Sequence, residues 1–286
     1  MSMYYCHREG QTNDRLDTAK RAQIISALVE GNSLRTTSRM TGASKVTILR
    51  LLESLGAACS EYQDRALRNL NCKRIQCDEI WQFCCAEEKN VPAEKQGQFG
   101  FGDVWTWVAM DADTKLIVTW ALGTRGAGTA FEFMHDLAKR LAHRVQLTTD
   151  GHRVYLNAVE SAFGSEIDYA MLVKIYGTDA ANDAKYSPAE CIDCKPIAIT
   201  GRPDPKHIST SYIERLNATN LLLMRRLTRL TLAFSKKREN FTAAVGLHFA
   251  YYNFVKRHST LRCTPAMAAG VTTRLWAVED LVALLS

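Results

Sequence analysis

A chain of 286 residues, 47% apolar and 23% charged, is long enough to bury a sizeable core and too ordinary in composition for a fibrous or disordered protein. No stretch reaches the apolar length needed to span a bilayer, which argues against a membrane partner. The start, MSMYYCHREG, lacks the apolar run of a signal peptide, so a cytoplasmic location is expected, with the nine cysteines reduced.

The net charge of +6 is unevenly spread. Residues 1–70 carry 10 Lys/Arg against 7 Asp/Glu, residues 71–205 carry 14 against 19, and residues 206–262 carry 11 against 2. An acidic middle beside a strongly basic segment points to a polyanion held by one part and attacked by another, with a solvated basic helix face as the alternative.

In chain order, Asp17 precedes the helical pattern TAKRAQIISALVEGN, whose stripe is Ile24, Ile25, Leu28 and Val29 and whose stop is Gly31. Ser33 caps LRTTSRMT, which ends at Gly42. Ser44 caps KVTILRLLESL, closed by Gly56. This spacing predicts a helix-turn-helix domain over 1–60, in which Ser44, Lys45, Thr47 and Arg50 face DNA while Val46, Leu49 and Leu52 pack inward. A bundle for protein contacts is the competing use of the same helices. SEYQDRALRNL predicts a linker helix, with the linker over 61–71.

From Cys72 the apolar period changes to two. CKRIQCDEIWQF reads as a strand, and FGDVWTWVAMD with KLIVTWALG as a hairpin; then follow a helix (GTAFEFMHDLAKRLAH), the strand RVQLTTD, a helix (VYLNAVESAFG) and the strand IDYAMLVKIYG. Such an order predicts an α/β fold with a mixed five-stranded sheet and flanking helices over 72–262, the fourth strand lying beside the first. The proline-rich residues 178–208 predict an irregular insertion. Helix returns in ISTSYIERLNATNLLLMRRLTRL and SKKRENFTAAVGLHFAYYNFVKRH, and 263–286 forms a tail with the amphipathic piece TTRLWAVEDLVALL.

TTDGH ends a strand on a carboxylate, where active sites of open α/β sheets gather. With Asp78 on the first strand and Asp150 ending the fourth, two carboxylates meet across one inter-strand spacing. Glu214 opens a later helix, with Asn217 one turn on. Oxygen-only ligands suit Mg²⁺, with Mn²⁺ as a substitute, and two ions about 3.5 to 4 Å apart serve an in-line phosphoryl displacement. Gly151 lets the backbone leave the sheet without blocking the metals. Glu79 alternates to the other strand face and reads as a structural or surface residue, while Glu160, Glu166 and Glu190 compete with Glu214 for the third place.

Arg225, Arg226 and Arg229 are expected to hold DNA phosphates, and Asn217, Lys236 and Lys237 are expected to contact DNA as well. His152 and His207 are expected either to orient water or contact the scissile phosphate, or to serve as hydrogen-bond partners behind the acidic residues. Cys191 and Cys194 are half a zinc ribbon, and without a second pair they read as free thiols.

CDEIW, TTDGHRVY, SYIERLN, AFSKK and YYNFVKRHSTLRCTPAMAAG, taken in this order, resemble the DDE transposases of bacterial insertion sequences, in particular the insertion-sequence-one family, over residues 15–275. The resemblance implies an RNase H-like catalytic domain, a Mg²⁺-dependent triad on Asp78, Asp150 and Glu214, and DNA strand cleavage and transfer. Many members carry an N-terminal cysteine zinc finger. Only Cys6-His7 occurs at that end here, so no zinc site is expected there. Expected partners are the double-stranded terminal inverted repeats and target DNA, bound by a homodimer or higher oligomer. A nuclease that stops after hydrolysis and a silent DNA-binding regulator are the alternatives.

Overall fold

The computed structural model describes residues 16–98, 100–176, 191–227 and 233–286. Helices α1 (Thr18–Val29), α2 (Leu34–Thr41) and α3 (Lys45–Ala66) come first. Their predicted caps form: Asp17, Ser33 and Ser44 accept from the backbone N–H of Lys20, Thr36 and Thr47 at 2.6, 3.1 and 3.1 Å.

The third helix differs from expectation. It runs through Gly56 as one helix of 22 residues, so neither the stop at Gly56 nor a separate linker helix forms. A Cβ on Gly56 would lie 2.3 Å from the carbonyl oxygen of Ala243 and 2.5 Å from its Cα. The glycine serves a close crossing with a later helix and does not end its own. Ile48, Leu51, Leu52 and Leu55 form the buried face, whereas Val46, expected inside, is 59% exposed and Leu49 is half-buried.

Strands β1 (Arg74–Cys84), β2 (Gly102–Asp111) and β3 (Ile117–Gly123) form an antiparallel meander. After it α4 (Ala127–Arg140), β4 (Gln146–Asp150), α5 (Val154–Phe163) and β5 (Asp168–Tyr176) alternate, with β4 parallel to both β1 and β5. The order β3-β2-β1-β4-β5 is the RNase H-like arrangement the sequence predicts, with the fourth strand beside the first. A sixth strand, β6 (Cys191–Thr200), extends it antiparallel to β5, within the stretch expected to be irregular. Pro196 hides this strand in the sequence, yet an edge strand tolerates a residue with no N–H to donate.

The two sheet faces bury separate apolar clusters. Ile75, Cys77, Trp107 and Leu147 pack on one side with Ile24, Leu55, Phe133 and Leu247, so the N-terminal helices share a core with the sheet. On the other side Ile80, Val104 and Val108 pack with residues of α6 (Ser211–Leu223) and α7 (Arg238–Ala250). The predicted helix over 208–230 ends at Leu223; Met224 and Leu227 then turn into the core, with Arg225–Leu227 as a 3-10 turn. α7 continues as a π-helical turn, Tyr251–Val255, before α8 (Pro265–Ala268) and α9 (Val278–Val282). The amphipathic helix expected over 272–285 reduces to α9 and a 3-10 turn, Ala283–Leu285. Among the described residues no helix is long and apolar enough to cross a membrane.

Candidate active site

The parallel register of β1 on β4 pairs Ile75 with Leu147 and Gln76 with Thr148. Continued for two residues, it brings Asp78, midway along β1, level with Asp150 at the carboxyl end of β4. Oxygens of Asp78, Glu79 and Asp150 lie within 4.8 Å of one another, the one group of three such ligand atoms among the described residues. Glu79 does leave the opposite face of β1, as its alternation predicts, but it is buried and belongs to the cluster. Tyr155 of α5 donates its hydroxyl to Glu79 Oε1, and Arg125 Nε lies 3.3 Å from Oε2.

Asp78 accepts from the N–H of Glu79 and from Nδ2 of Asn217, each at 2.9 Å. Burial pushes its pKa up to about 7, and the carboxylates of Glu79, Asp150 and Glu214 push in the same direction. The pKa of Glu79 also rises to about 7, chiefly through burial and then through Asp150, against the opposing pull of Tyr155 and Arg125. Arg125 spans the cluster: its Nη2 is 3.6 Å from Asp150 Oδ2, and its guanidinium lies 4.7 Å from the ring centre of Trp105. The loop GTRGAG gave no sign of this role in the sequence.

Asp150 Oδ1 accepts from the N–H of His152 at 2.9 Å, and the His152 ring approaches the carbonyl of Arg125 at 3.1 Å, so this histidine braces the loop around the site. Gly151 does not occupy the left-handed region. A Cβ there would come 3.3 Å from Val173 Cγ2, so the glycine answers a close approach of β5.

Glu214 stands apart from the three clustered carboxylates. Its Oε1 pairs with Lys174 of β5 at 2.7 Å and accepts from the Thr210 hydroxyl, while Asn217, one turn on, touches Asp78. Buried Gln76 anchors this helix, its Oε1 accepting from the N–H groups of Tyr212 and Ile213 at 3.0 Å each. Of the competing glutamates, Glu160 and Glu166 are exposed, and Glu190 lies outside the described residues.

His207 is not at the site. It bonds Arg74 at 2.6 Å, at the start of β1, about 13 Å of strand from Asp78.

Of the expected DNA contacts, Ser44, Lys45 and Arg50 are exposed at the start of α3, and Thr47 is half-buried. Arg225, Lys236 and Lys237 are exposed, whereas Arg226 turns inward to donate to Ser235 Oγ at 2.7 Å, and burial lowers its pKa. Arg229 lies outside the described residues. Arg35 and Lys45 from the N-terminal helices, with Arg225, Arg226 and Lys236, line a common cleft of about 780 Å³. This cleft joins two basic segments far apart in the sequence.

The donor set fits a hard divalent cation. Three carboxylates crowd together with partial neutralisation by Arg125, and buried Asn217 Oδ1 beside Asp78 has no hydrogen-bond partner. Fold and site together define an RNase H-like domain with a carboxylate cluster where the central strand β4 ends beside β1.

No family model and no curated protein matches the chain. Among solved structures it is similar to a Mos1 transposase paired-end complex with left transposon end, at 13% identity and TM-score 0.25, over 58% of this chain and 61% of that one. Similarity to a piggyBac transposase synaptic complex with hairpin DNA has 10% identity and TM-score 0.34, over 91% of this chain and 57% of that one. A Mos1 strand transfer complex matches at 13% identity and TM-score 0.24, over 85% and 81%.

Proposed function

We propose that the chain is a DNA transposase that binds double-stranded transposon ends and catalyses Mg²⁺-dependent phosphodiester cleavage and strand transfer, as the resemblance to bacterial insertion-sequence transposases implies. The observation that carries this reading is the pair Asp78 and Asp150, side by side where β4 ends against the middle of β1, with Asn217 of α6 on Asp78.

Asp78, Asp150 and Glu214 are assigned to hold two Mg²⁺ or Mn²⁺ ions. When bound, the ions neutralise the carboxylates and supply the charge that activates an attacking oxygen and stabilises the leaving one. Glu214 is assigned as the third ligand because it sits one turn before Asn217, and its partner Lys174 forms a solvent-accessible ion pair, the kind whose loss costs little. Glu79 is assigned to orient Arg125, which lies beside Asp150 where a DNA phosphate would bring negative charge.

Lys45, Arg50, Arg225, Lys236 and Lys237 supply exposed positive charge for duplex DNA, with Ser44 and Thr47 at the start of α3 available to its bases. Two ends must be held together, so a dimer or higher assembly on DNA follows.

The test is incubation of the full chain with duplexes carrying the inverted repeats that flank its coding sequence. Cleavage with Mg²⁺ or Mn²⁺, lost in Asp150→Asn and Glu214→Gln at unchanged duplex binding, is expected. Cleavage that survives Glu214→Gln would remove that residue from the ligand set.

A further inference from the structure

Two exposed thiols, Cys191 and Cys194, lie on edge strand β6 with their sulfurs 3.6 Å apart. In a regular strand, residues three apart point to opposite faces. Here the ladder slips: Ile175 of β5 pairs with Asp193, but the next residue, Tyr176, pairs with Cys191, so Ile192 is an extra residue on β6. The bulge shortens the spacing to two ladder positions and returns both thiols to one face. It thereby converts a C-x-x-C spacing that a plain strand would separate into a facing pair.

The sulfur separation is far beyond the bonded distance of about 2.05 Å. It is close to the edge of a zinc tetrahedron, since two thiolates each about 2.3 Å from Zn²⁺ stand about 3.8 Å apart. Cys194 pairs across the ladder with Lys174; the hydrogen bond with Cys191, and then burial, raise the pKa of its thiol, with the Lys174 charge opposing. Asp193, between the two, turns its carboxylate back to accept the N–H of Cys194 at 2.7 Å.

Two thiolates fill half of a tetrahedral site. Among the described residues the other cysteines are buried or half-buried on distant elements, and no His/Cys/Asp/Glu group of three includes this pair. β6 is also the outer strand of the sheet, its far edge unpaired among the described residues, with Ile192 65% exposed. A second β6 running antiparallel along that edge would bring an identical pair of thiols to the first.

We propose that Cys191 and Cys194 form a two-thiolate half-site for Zn²⁺, closed by the same two cysteines of a second copy of this chain, so that one ion joins two copies at the edges of their sheets. This inference does not rest on the phosphoryl-transfer reading, and its test contains no DNA.

The reduced full chain, equilibrated with Zn²⁺ and freed of excess, is measured for metal content and for mass by sedimentation, with and without EDTA. The expected result is about half an equivalent of zinc per chain on a dimer that EDTA returns to monomer. Co²⁺ in its place should give the absorption of tetrahedral thiolate ligation. Cys191→Ser/Cys194→Ser should lose both zinc and dimer with an unchanged far-UV spectrum, because neither side chain packs in a core. Zinc retained by the double variant would overturn the proposal. So would one ion per chain on a monomer, in which the remaining ligands come from the same chain, or a disulfide that persists in reductant and excludes the metal.

Discussion

Asp78 and Glu79 are adjacent in sequence, leave opposite faces of β1, and still crowd one site with Asp150, because β4 ends at Asp150 while β1 runs on beside it to Cys84. Burial raises each to about 7, so protonation favours the folded form. Their contribution to stability is complete below the ordinary carboxylate range, about 4, and is lost as pH rises through about 7. Metal-free protein should therefore melt at a lower temperature at about pH 8 than at about pH 5, and Mg²⁺ should raise the melting temperature more at the higher pH, because the ion needs the ionised forms. Asp78→Asn removes one of the repelling charges. It should raise the metal-free Tm at about pH 8, by about 2–4 °C per kcal/mol relieved, while abolishing cleavage; a lower Tm in calorimetry would contradict the repulsion. Asp150 was legible in sequence because a period-two run ending in Asp-Gly carries its own position, and Asp78 because it lies on the strand expected beside that one. Glu79 was not, since alternation assigns a face but not the convergence of two faces beside the end of a neighbouring strand. Arg125 was not, since a lone arginine in a glycine-rich loop has no period at all.

Helix α6 is tied to β1 at two points, Gln76 on its first N–H groups and Asn217 on Asp78, and these set where Glu214 can reach. Gln76→Leu strips the buried acceptor and should cost about 1–2 kcal/mol in denaturant unfolding. Cleavage should fall by more than duplex affinity, and Gln76→Glu, which keeps the oxygens, should restore part of it. Equal loss in both variants would make Gln76 a packing residue only. Gly56→Ala should destabilise by about 1–3 kcal/mol, because its Cβ would meet the backbone of α7, which cannot rotate away. Sequence alone made Gly56 a helix stop, since a stop and a close crossing both ask for glycine, and only the partner helix separates them. The same ambiguity carried the predicted helix past Leu223: apolar spacing continues through Met224 and Leu227, and it is their burial, with Arg226 turned to Ser235, that ends α6. Edge strand β6 was missed because Pro196 and the polar Cys191–Cys194 run erase the alternation that marks a half-buried strand.

Across the whole molecule, the order of elements and the charge asymmetry were legible, while the packing of the N-terminal helices into the core of the sheet was not. Leu52, Leu55 and Cys59 of α3 share a core with Leu247 of α7, and Tyr62 packs on Trp276 at 5.0 Å. A fragment of residues 16–66 should lack cooperative unfolding by circular dichroism, and DNA recognition by Lys45, Thr47 and Arg50 should require the full chain. The arginines of the basic segment should also divide. Arg225→Ala should reduce the slope of log affinity against log salt by about one at unchanged Tm. Arg226→Ala should lower Tm and leave the slope intact, because that guanidinium is buried against Ser235. We propose that the Asp78 and Asp150 site joins DNA as well as cutting it. The most direct measurement of this supplies the full chain with Mg²⁺, an inverted-repeat duplex already cut to expose its 3′-hydroxyl, and a supercoiled plasmid. The account predicts covalent joining of that end to the plasmid by the unaltered chain and none by Asp78→Asn or Asp150→Asn at equal duplex binding; joining that persists in both variants, or hydrolysis with no joined product from the unaltered chain, would contradict it.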